Sequence, residues 1–214
     1  MMENWSIQPE QVFEISPVVP VMVIEHLDQA VPLARALVAG GIRILEVTLR
    51  TECALEAIKL IREEVPEALV GAGTVLNPEQ LQAVADAGAQ FAISPGVTTA
   101  LLEAGAHSTI PLIPGVASVS DAMKAMDFGY TYLKFFPAES SGGAKAIKSM
   151  GSPLSGLVFC PTGGIGLANC KDYLSLDNVA CVGGSWVAPM DAVRDGDWQR
   201  ISDLSCQALA HING

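Results

Sequence analysis

One lysine lies inside an otherwise apolar and aromatic run, residues 130–137, which reads Tyr-Thr-Tyr-Leu-Lys-Phe-Phe-Pro. Such a run predicts a β-strand that is buried on both faces. Burying an unpaired ammonium is costly, so Lys134 should either lose its proton readily or lie beside a carboxylate. A neutral amine in an apolar site is a nucleophile that attacks a carbonyl carbon to form a Schiff base. The alternative is a lysine that extends to solvent or forms a static ion pair.

A carboxylate that could serve this lysine lies in the stretch of residues 41–50, which contains another predicted strand. Successive side chains of a strand point to opposite faces, so Glu46, Thr48 and Arg50 should share the interior face. An interior carboxylate must be paired or protonated, and we expect its partners to be Lys134 and Arg50. The alternative is a buried glutamate–arginine pair with a purely structural role.

Glycines cluster where three further predicted strands end. Residues 71–74 read Gly-Ala-Gly-Thr, so a ligand could approach the backbone closely and Thr74 could offer its hydroxyl. Paired glycines also follow the seventh and eighth strands, within residues 160–165 and 182–185. Backbone N–H groups at such places favour a bound phosphate. Each glycine motif taken alone is also compatible with tight helix packing.

Apolar runs recur at intervals of about 20 to 27 residues, with a helix signal after each run. This repeat predicts a closed (β/α)8 TIM barrel in one domain, residues 1–214, with a short N-terminal helix at residues 5–14. An open doubly wound sheet is the alternative, but residues 23–26 after the first strand contain no glycine of a dinucleotide-binding turn. The eight strands are predicted at residues 17–23, 42–49, 69–75, 91–94, 110–113, 130–137, 157–161 and 179–183.

Polar residues mark the predicted starts of the helices. Asp28 should cap a helix over residues 30–39, and Thr51 should open a helix that runs to residue 65. Asn77, which precedes a proline, is a further predicted cap, and residues 118–121 predict a capping box.

The composition restricts the classes of partner. A net charge of −11 without a basic cluster argues against nucleic acid and against an anionic membrane surface. The five cysteines are widely spaced and lack the spacing of a metal site, so we expect reduced thiols in the cytoplasm and no bound metal. No signal-peptide pattern and no apolar run of bilayer length is found, so we expect a soluble protein.

Two long motifs connect these residues to a known family. One runs from Gly41 through Glu46 to Arg50, and the other from Gly129 through Lys134 to Gly142. Both resemble signatures of the 2-keto-3-deoxy-6-phosphogluconate (KDPG) and 4-hydroxy-2-oxoglutarate (KHG) aldolases. Similarity to this family covers roughly residues 17–186 and includes residues 71–78 and 160–165. Residues 140–141 and the tail after Trp186 depart from the family's pattern.

The resemblance implies a class I aldolase that needs no metal or organic cofactor and forms a homotrimer. By resemblance, Lys134 is the Schiff-base lysine and Glu46 the acid/base carboxylate, while Arg50 and Thr74 bind the pyruvyl portion of the substrate. Other substrate contacts are implied at Phe136 and Thr162, and phosphate contacts at Gly163, Gly164, Gly184 and Ser185.

Three other functions fit parts of the pattern. A phosphate-binding barrel isomerase or decarboxylase would use Lys134 only for its charge. A non-enzymatic phosphosugar sensor would bind the same ligand, although the sequence shows no DNA-reading helix. An aldolase for the phosphogalactonate isomer would differ from the KDPG enzyme in the configuration of one substrate carbon.

Overall fold

The computed structural model describes Met2 and residues 4–214. At its centre are eight parallel strands, formed by the predicted apolar runs and almost entirely buried on both faces. The strands, numbered β1 to β8 in chain order, are Val18–Met22, Ile44–Thr48, Leu69–Gly73, Ala92–Ile93, Leu112–Ile113 with Gly115–Val116, Tyr132–Phe135, Val158–Pro161 and Val182–Gly184.

Backbone pairing closes the strands into a ring. One sheet has the order β5, β4, β3, β2, β1, β8, and the second segment of β5 begins another sheet with β6 and β7. The two segments of β5 flank Pro114, which has no N–H group for a ladder bond. Backbone bridges from Phe159 to Val179 and from Thr162 to Gly183 join β7 to β8. The predicted (β/α)8 TIM barrel is confirmed.

Helices surround the barrel and bury their apolar faces against it. None of the helices in the described part of the chain combines the length and the apolar character of a membrane span. The helices are α1 Pro9–Glu14, α2 Ala30–Ala39, α3 Ala54–Glu64, α4 Pro78–Asp86, α5 Thr99–His107, α6 Val119–Asp127, α7 Gly143–Gly151, α8 Cys170–Leu174, α9 Met190–Asp195 and α10 Trp198–Asn213, with single 3₁₀ turns at Leu27–Gln29 and Glu139–Ser141.

Two predicted helix starts are wrong. Asp28 lies inside the 3₁₀ turn, and the cap of α2 is Gln29, whose Oε1 accepts hydrogen bonds from two preceding backbone N–H groups. Thr51 donates its hydroxyl to the Ile24 carbonyl at 2.7 Å, so it ties two loops together while α3 begins three residues later. In both cases a long-range or turn contact replaces the local cap.

The other two caps are confirmed. Asn77 Oδ1 accepts from the Gln80 N–H at 2.8 Å, and Ser118 forms a reciprocal box with Asp121. The lead-in helix is shorter than predicted, because α1 begins at Pro9, which occupies the first helical position.

The N-terminal segment packs on the amino ends of the strands. The Phe13 ring of α1 meets the edge of Tyr132, the first residue of β6, at 5.5 Å between centroids. The Trp5 indole donates to the Gly105 carbonyl at 3.0 Å. This end of the barrel is therefore covered, whereas the carboxyl ends of the strands lie on the opposite side.

Candidate active site

A buried ion pair spans the barrel interior between β2 and β6. Lys134 Nζ lies 3.2 Å from Glu46 Oε1, and the two side chains are 7% and 2% exposed. Since β2 and β6 are not neighbours in the ring, side chains of these strands can meet only inside it. The predicted inward direction of Glu46 and the predicted pairing of Glu46 with Lys134 are therefore both found in the structure.

The ion pair needs a glycine on β3. Gly73 pairs with Thr48 in the ladder, and a Cβ atom at Gly73 would lie 2.1 Å from Glu46 Oε1. The Glu46 carboxylate thus occupies the space that any other residue at position 73 would need. Thr74, the next residue, is half-buried and has a positive φ of 60°, which is unusual for a β-branched residue.

Two thiols lie close to the ion pair. Cys160 of β7 is the ladder partner of Lys134, and both Cys160 and Cys181 are buried. Burial, and secondarily the contact with Cys160, raises the pKa of the Cys181 thiol well above its ordinary value. Cys181 therefore stays neutral at physiological pH and does not act as a thiolate nucleophile beside Lys134.

A cavity of about 260 Å³ opens at the carboxyl ends of the strands. Lys134 reaches toward it, since Nζ lies 5.4 Å from the ring centre of Phe136, which lines the cavity. Val21, Val23 and Met190 add apolar walls that the sequence did not single out. Seven of the ten predicted site residues line this cavity: Arg50, Phe136, Thr162, Gly163, Gly164, Gly184 and Ser185.

The expected pair between Arg50 and Glu46 does not form. Among the described residues, the ion pair of Glu46 is with Lys134, and Arg50 is exposed at the cavity mouth. The physical reason is that β2 ends at Thr48, and the Arg50 N–H donates back to the Thr48 carbonyl in a turn. The alternation of a strand no longer holds beyond that point.

Thr162 carries a buried hydroxyl without a partner. The residue is 6% exposed, and its Oγ1 makes no hydrogen bond to the described residues. Thr162 lines the cavity and bridges to Gly183, where a Cβ atom would lie 2.3 Å from the same oxygen. A buried polar group without a partner indicates a place where a ligand can supply one.

The Gly163–Gly164 turn presents backbone donors to the cavity. Both glycines have positive φ, 105° and 77°, which other residues adopt only with strain. Their carbonyl oxygens are both occupied, since Gly163 O accepts from the Glu139 N–H and Gly164 O accepts from Asn169 Nδ2. The Gly164 N–H donates no hydrogen bond to another described residue. On β8, Gly184 is buried and Ser185 is exposed.

An exposed ion pair, called the rim contact below, joins α9 to the segment after β1; Met190 of α9 and Val23 of that segment line the cavity. Arg194 of α9 forms two 2.7 Å hydrogen bonds with the carboxylate of Glu25, which follows β1. The hydrogen bond to Arg194 lowers the pKa of Glu25 below its ordinary value. Within the described residues, no three His, Cys, Asp or Glu side chains are grouped to hold a metal ion.

Comparison with known proteins agrees with this geometry. The model of the KDPG and KHG aldolase family matches residues 10–204. The 2-dehydro-3-deoxy-phosphogluconate aldolase of Pseudoalteromonas atlantica is 59% identical over the whole of both chains. The KHG/KDPG aldolase of Escherichia coli K12 is 57% identical over 97% of this chain and 98% of the relative.

A solved structure gives the same result for the fold. The KDPG aldolase from Legionella pneumophila, determined with pyruvate captured at low pH as a covalent carbinolamine intermediate, superposes with a TM-score of 0.94. The two chains are 51% identical, and the match covers 96% of this chain and 100% of the other. The chain whose barrel buries Lys134 against Glu46 belongs to the KDPG and KHG aldolase family.

Proposed function

We propose that this chain is a class I aldolase that cleaves KDPG to pyruvate and glyceraldehyde 3-phosphate, and KHG to pyruvate and glyoxylate. The observation that carries the proposal is the 3.2 Å contact between Lys134 Nζ and Glu46 Oε1 inside the barrel. A carboxylate at this distance can take a proton from the ammonium, which leaves the neutral amine that attacks a ketone.

The covalent step begins when the neutral Lys134 amine attacks C2 of the substrate. The Nζ–C2 bond forms as the C=O π bond breaks, and one proton moves from Nζ to the former ketone oxygen. Glu46 then gives this oxygen the proton that it took from the ammonium, and the oxygen leaves as water. The resulting iminium attracts the electrons of the C3–C4 bond. Glu46 removes the proton of the C4 hydroxyl as that bond breaks, which releases the aldehyde and leaves an enamine on Lys134.

The second half of the reaction restores the enzyme. Glu46 returns its proton to C3 of the enamine, and the iminium forms again. Water then adds to C2 and releases pyruvate from Lys134. Because the iminium formed on Lys134 serves as the electron sink, this chemistry needs neither a metal nor an organic cofactor.

The substrate carboxylate is assigned to Arg50. The guanidinium lies at the cavity mouth, where its planar fork can make a two-point contact with a carboxylate. Thr74 and Thr162 supply hydroxyl groups to the pyruvyl portion, and the Phe136 ring packs beside it. The positive φ of Thr74 and the unpartnered hydroxyl of Thr162 support these roles.

The phosphate is assigned to Gly163, Gly164, Gly184 and Ser185. Local cations are scarce here, because the sequence has no arginine or lysine between Lys148 and Lys171 or between Lys171 and Arg194. The N–H groups of the glycine turn must therefore supply most of the attraction for the dianion.

Borohydride trapping tests the proposal. The protein is incubated with pyruvate, reduced with borohydride and digested, and the modified peptide is identified by mass spectrometry. We expect the adduct on Lys134 and no adduct in the Lys134→Arg variant, whereas Lys145→Arg, a change at an exposed lysine of α7, should react as the parent does. An adduct on another lysine, or full activity of Lys134→Arg, would refute the mechanism.

The gluconate configuration is preferred over the galactonate configuration in this proposal. The high-identity relatives carry names of the gluconate enzyme, whereas the structure named for KDPGal is 25% identical. Turnover measured on both phosphorylated isomers decides the matter, and faster cleavage of the galactonate isomer would reverse the assignment.

We also propose a homotrimer, as the family resemblance implies. On α6, Val119, Met123 and Met126 expose 44%, 53% and 38% of their surface and lie on one helix face, which offers apolar area to another copy. Light scattering should give three times the 22.4 kDa mass of one chain. The mass of a single chain would contradict the proposal.

A cytoplasmic location is proposed as well. The five cysteines are free thiols, and a reducing compartment keeps an exposed thiol such as Cys206 from cross-linking. Cell fractionation tests the location, and recovery of the protein outside the cytoplasm would contradict it.

A further inference from the structure

The two carbonyl groups of the Gly163–Gly164 turn are held by separate donors. Gly163 O accepts from the Glu139 N–H at 3.1 Å, and Gly164 O accepts from Asn169 Nδ2 at 3.1 Å. In a planar trans peptide the C=O and the following N–H point in opposite directions. Fixing these two carbonyls therefore fixes the directions of the N–H groups of Gly164 and Ile165, two residues that line the cavity.

The Asn169 side chain makes a second contact with the same segment. Its Oδ1 accepts from the Gly166 N–H at 2.9 Å, while its Nδ2 donates to Gly164 O. One amide group thus joins the two sides of the chain after the turn. The amide suits this arrangement because it can donate through Nδ2 and accept through Oδ1 at once.

Tyr173 supports the turn indirectly, through the side chain of Glu139. Its buried hydroxyl donates to Glu139 Oε1, and the Glu139 side chain packs so closely under Gly164 that a Cβ atom there would lie 2.6 Å from Glu139 Cγ. Burial, followed by the hydrogen bond to Glu139, raises the pKa of Tyr173 above its ordinary value. The hydroxyl therefore remains protonated and continues to donate.

Both residues come from one element. Asn169 precedes α8 and Tyr173 lies within it, four positions later, so the two side chains share one helix face. That face contacts the glycine turn at the Gly164 carbonyl, through Asn169, and the supporting Glu139 carboxylate, through Tyr173. The function described above does not use α8 at all, and its sequence, Cys-Lys-Asp-Tyr-Leu, shows no binding motif.

We propose that Asn169 and Tyr173 are positioning residues that hold the glycine turn in the geometry that binds the substrate phosphate. The inference rests on the proposed function, because it assigns this turn to the phosphate. Neither side chain needs to touch the substrate. Without Asn169, the Gly164 carbonyl is free to rotate toward the phosphate. Without the Tyr173 hydroxyl, the Glu139 carboxylate is free to do the same. In either case an oxygen atom with negative charge would repel the phosphate dianion.

The test compares a phosphorylated with an unphosphorylated substrate. We expect Asn169→Ala and Tyr173→Phe each to raise KM for KDPG by about ten-fold. This is the effect of losing one charge-assisted hydrogen bond from an N–H group of the turn to the phosphate. For KHG, which has no phosphate, kcat and KM should stay within about two-fold of the parent. The inhibition constant of inorganic phosphate against KDPG cleavage should rise by the same factor as KM for KDPG.

Matched control variants lose the same kind of bond at the amino ends of the strands. Tyr130→Phe removes a buried hydroxyl that donates to the Leu102 carbonyl at 2.8 Å. Asn178→Ala removes an amide that donates to the Ile147 carbonyl at 3.2 Å. In both controls the ratio of kcat/KM for KDPG to kcat/KM for KHG should stay as in the parent, even where the melting temperature falls.

The outcomes separate the two proposals. If the parent forms the Lys134 adduct and prefers KDPG, but the α8 variants keep the parental specificity ratio, the positioning role is wrong and the proposed function stands. Equal losses on KDPG and KHG also refute the positioning role, since they indicate general damage. If the parent does not form the adduct or does not cleave KDPG, the proposed function itself fails.

Discussion

Lys134 Nζ and Glu46 Oε1 lie 3.2 Å apart across the barrel, and both side chains are almost fully buried. Each charge makes the burial of the other tolerable, so neither can be removed without leaving an uncompensated group. The same contact lets a proton pass between them. Structure and proposed chemistry therefore depend on one pair of atoms.

Glu46→Gln tests the chemical role of the carboxylate. Glutamine keeps the shape but cannot exchange a proton, so we expect turnover to fall by roughly 10² to 10⁴-fold. Glu56→Gln on α3, where the side chain is 61% exposed, serves as the control and should leave turnover unchanged. Turnover of Glu46→Gln within a few-fold of the parent would reduce Glu46 to a structural partner of Lys134.

Gly73→Ala tests the space around Glu46. The added methyl group must displace the carboxylate, since its position is 2.1 Å from Glu46 Oε1. A displacement of about 1 Å should lower turnover by about 10²-fold, and overpacking should lower the free energy of unfolding by about 1 to 3 kcal/mol. Gly96→Ala, where a Cβ meets no atom within 4 Å, should change neither. A fully active Gly73→Ala would show that the position of Glu46 is not critical.

The sequence predicts the pair between Lys134 and Glu46 because both residues lie within strands. Inside a strand the side-chain direction alternates, and the barrel then determines which strands face each other. Arg50 was misplaced because it lies two residues beyond the end of β2, and strand periodicity cannot locate that end.

Asn169 and Tyr173 could not be identified from the sequence for a different reason. Their contacts are hydrogen bonds from side chains to a neighbouring loop, and these depend on how α8 packs. Asparagine and tyrosine at that spacing are common on helices that bind nothing. Thr51 was misassigned as a helix start for the same reason, since its partner, Ile24 O, lies in another loop.

Ser185→Ala tests the phosphate site directly. Loss of one charge-assisted hydrogen bond of about 1.5 kcal/mol should raise KM for KDPG by about ten-fold. Cleavage of KHG should hardly change, because that substrate has no phosphate. Ser175→Ala, which removes an exposed hydroxyl after α8, is the control. Equal losses on both substrates would place the phosphate elsewhere.

Arg194→Gln tests the rim contact through its pH dependence. Arg194 lowers the pKa of Glu25 in the folded state, so the contact stabilises the fold above the ordinary glutamate pKa of about 4.3. That stabilisation is lost as the pH falls through the lowered value. Melting temperatures of parent and variant should therefore differ at pH 7 and converge in acid. A constant difference across that range would show that Glu25 is not responsible.

Thr162→Val separates stability from function within one side chain. The Thr162 hydroxyl is buried and has no hydrogen-bonding partner among the residues that the structure describes, so replacing it with a methyl group removes an unfavourable burial. We expect the free energy of unfolding to stay the same or rise by up to about 1 kcal/mol, while KM for KDPG and KHG rises by about ten-fold.

Thr48→Val is the matched comparison in the same barrel. The Thr48 hydroxyl is equally buried but donates to the Met22 carbonyl at 2.8 Å, so its loss leaves that carbonyl without its donor. This variant should lose about 1 to 2 kcal/mol of stability. Chemical denaturation and steady-state kinetics of both variants measure the contrast. If Thr162→Val is destabilised as much as Thr48→Val and binds both substrates normally, the Thr162 hydroxyl has a structural partner and no role in binding.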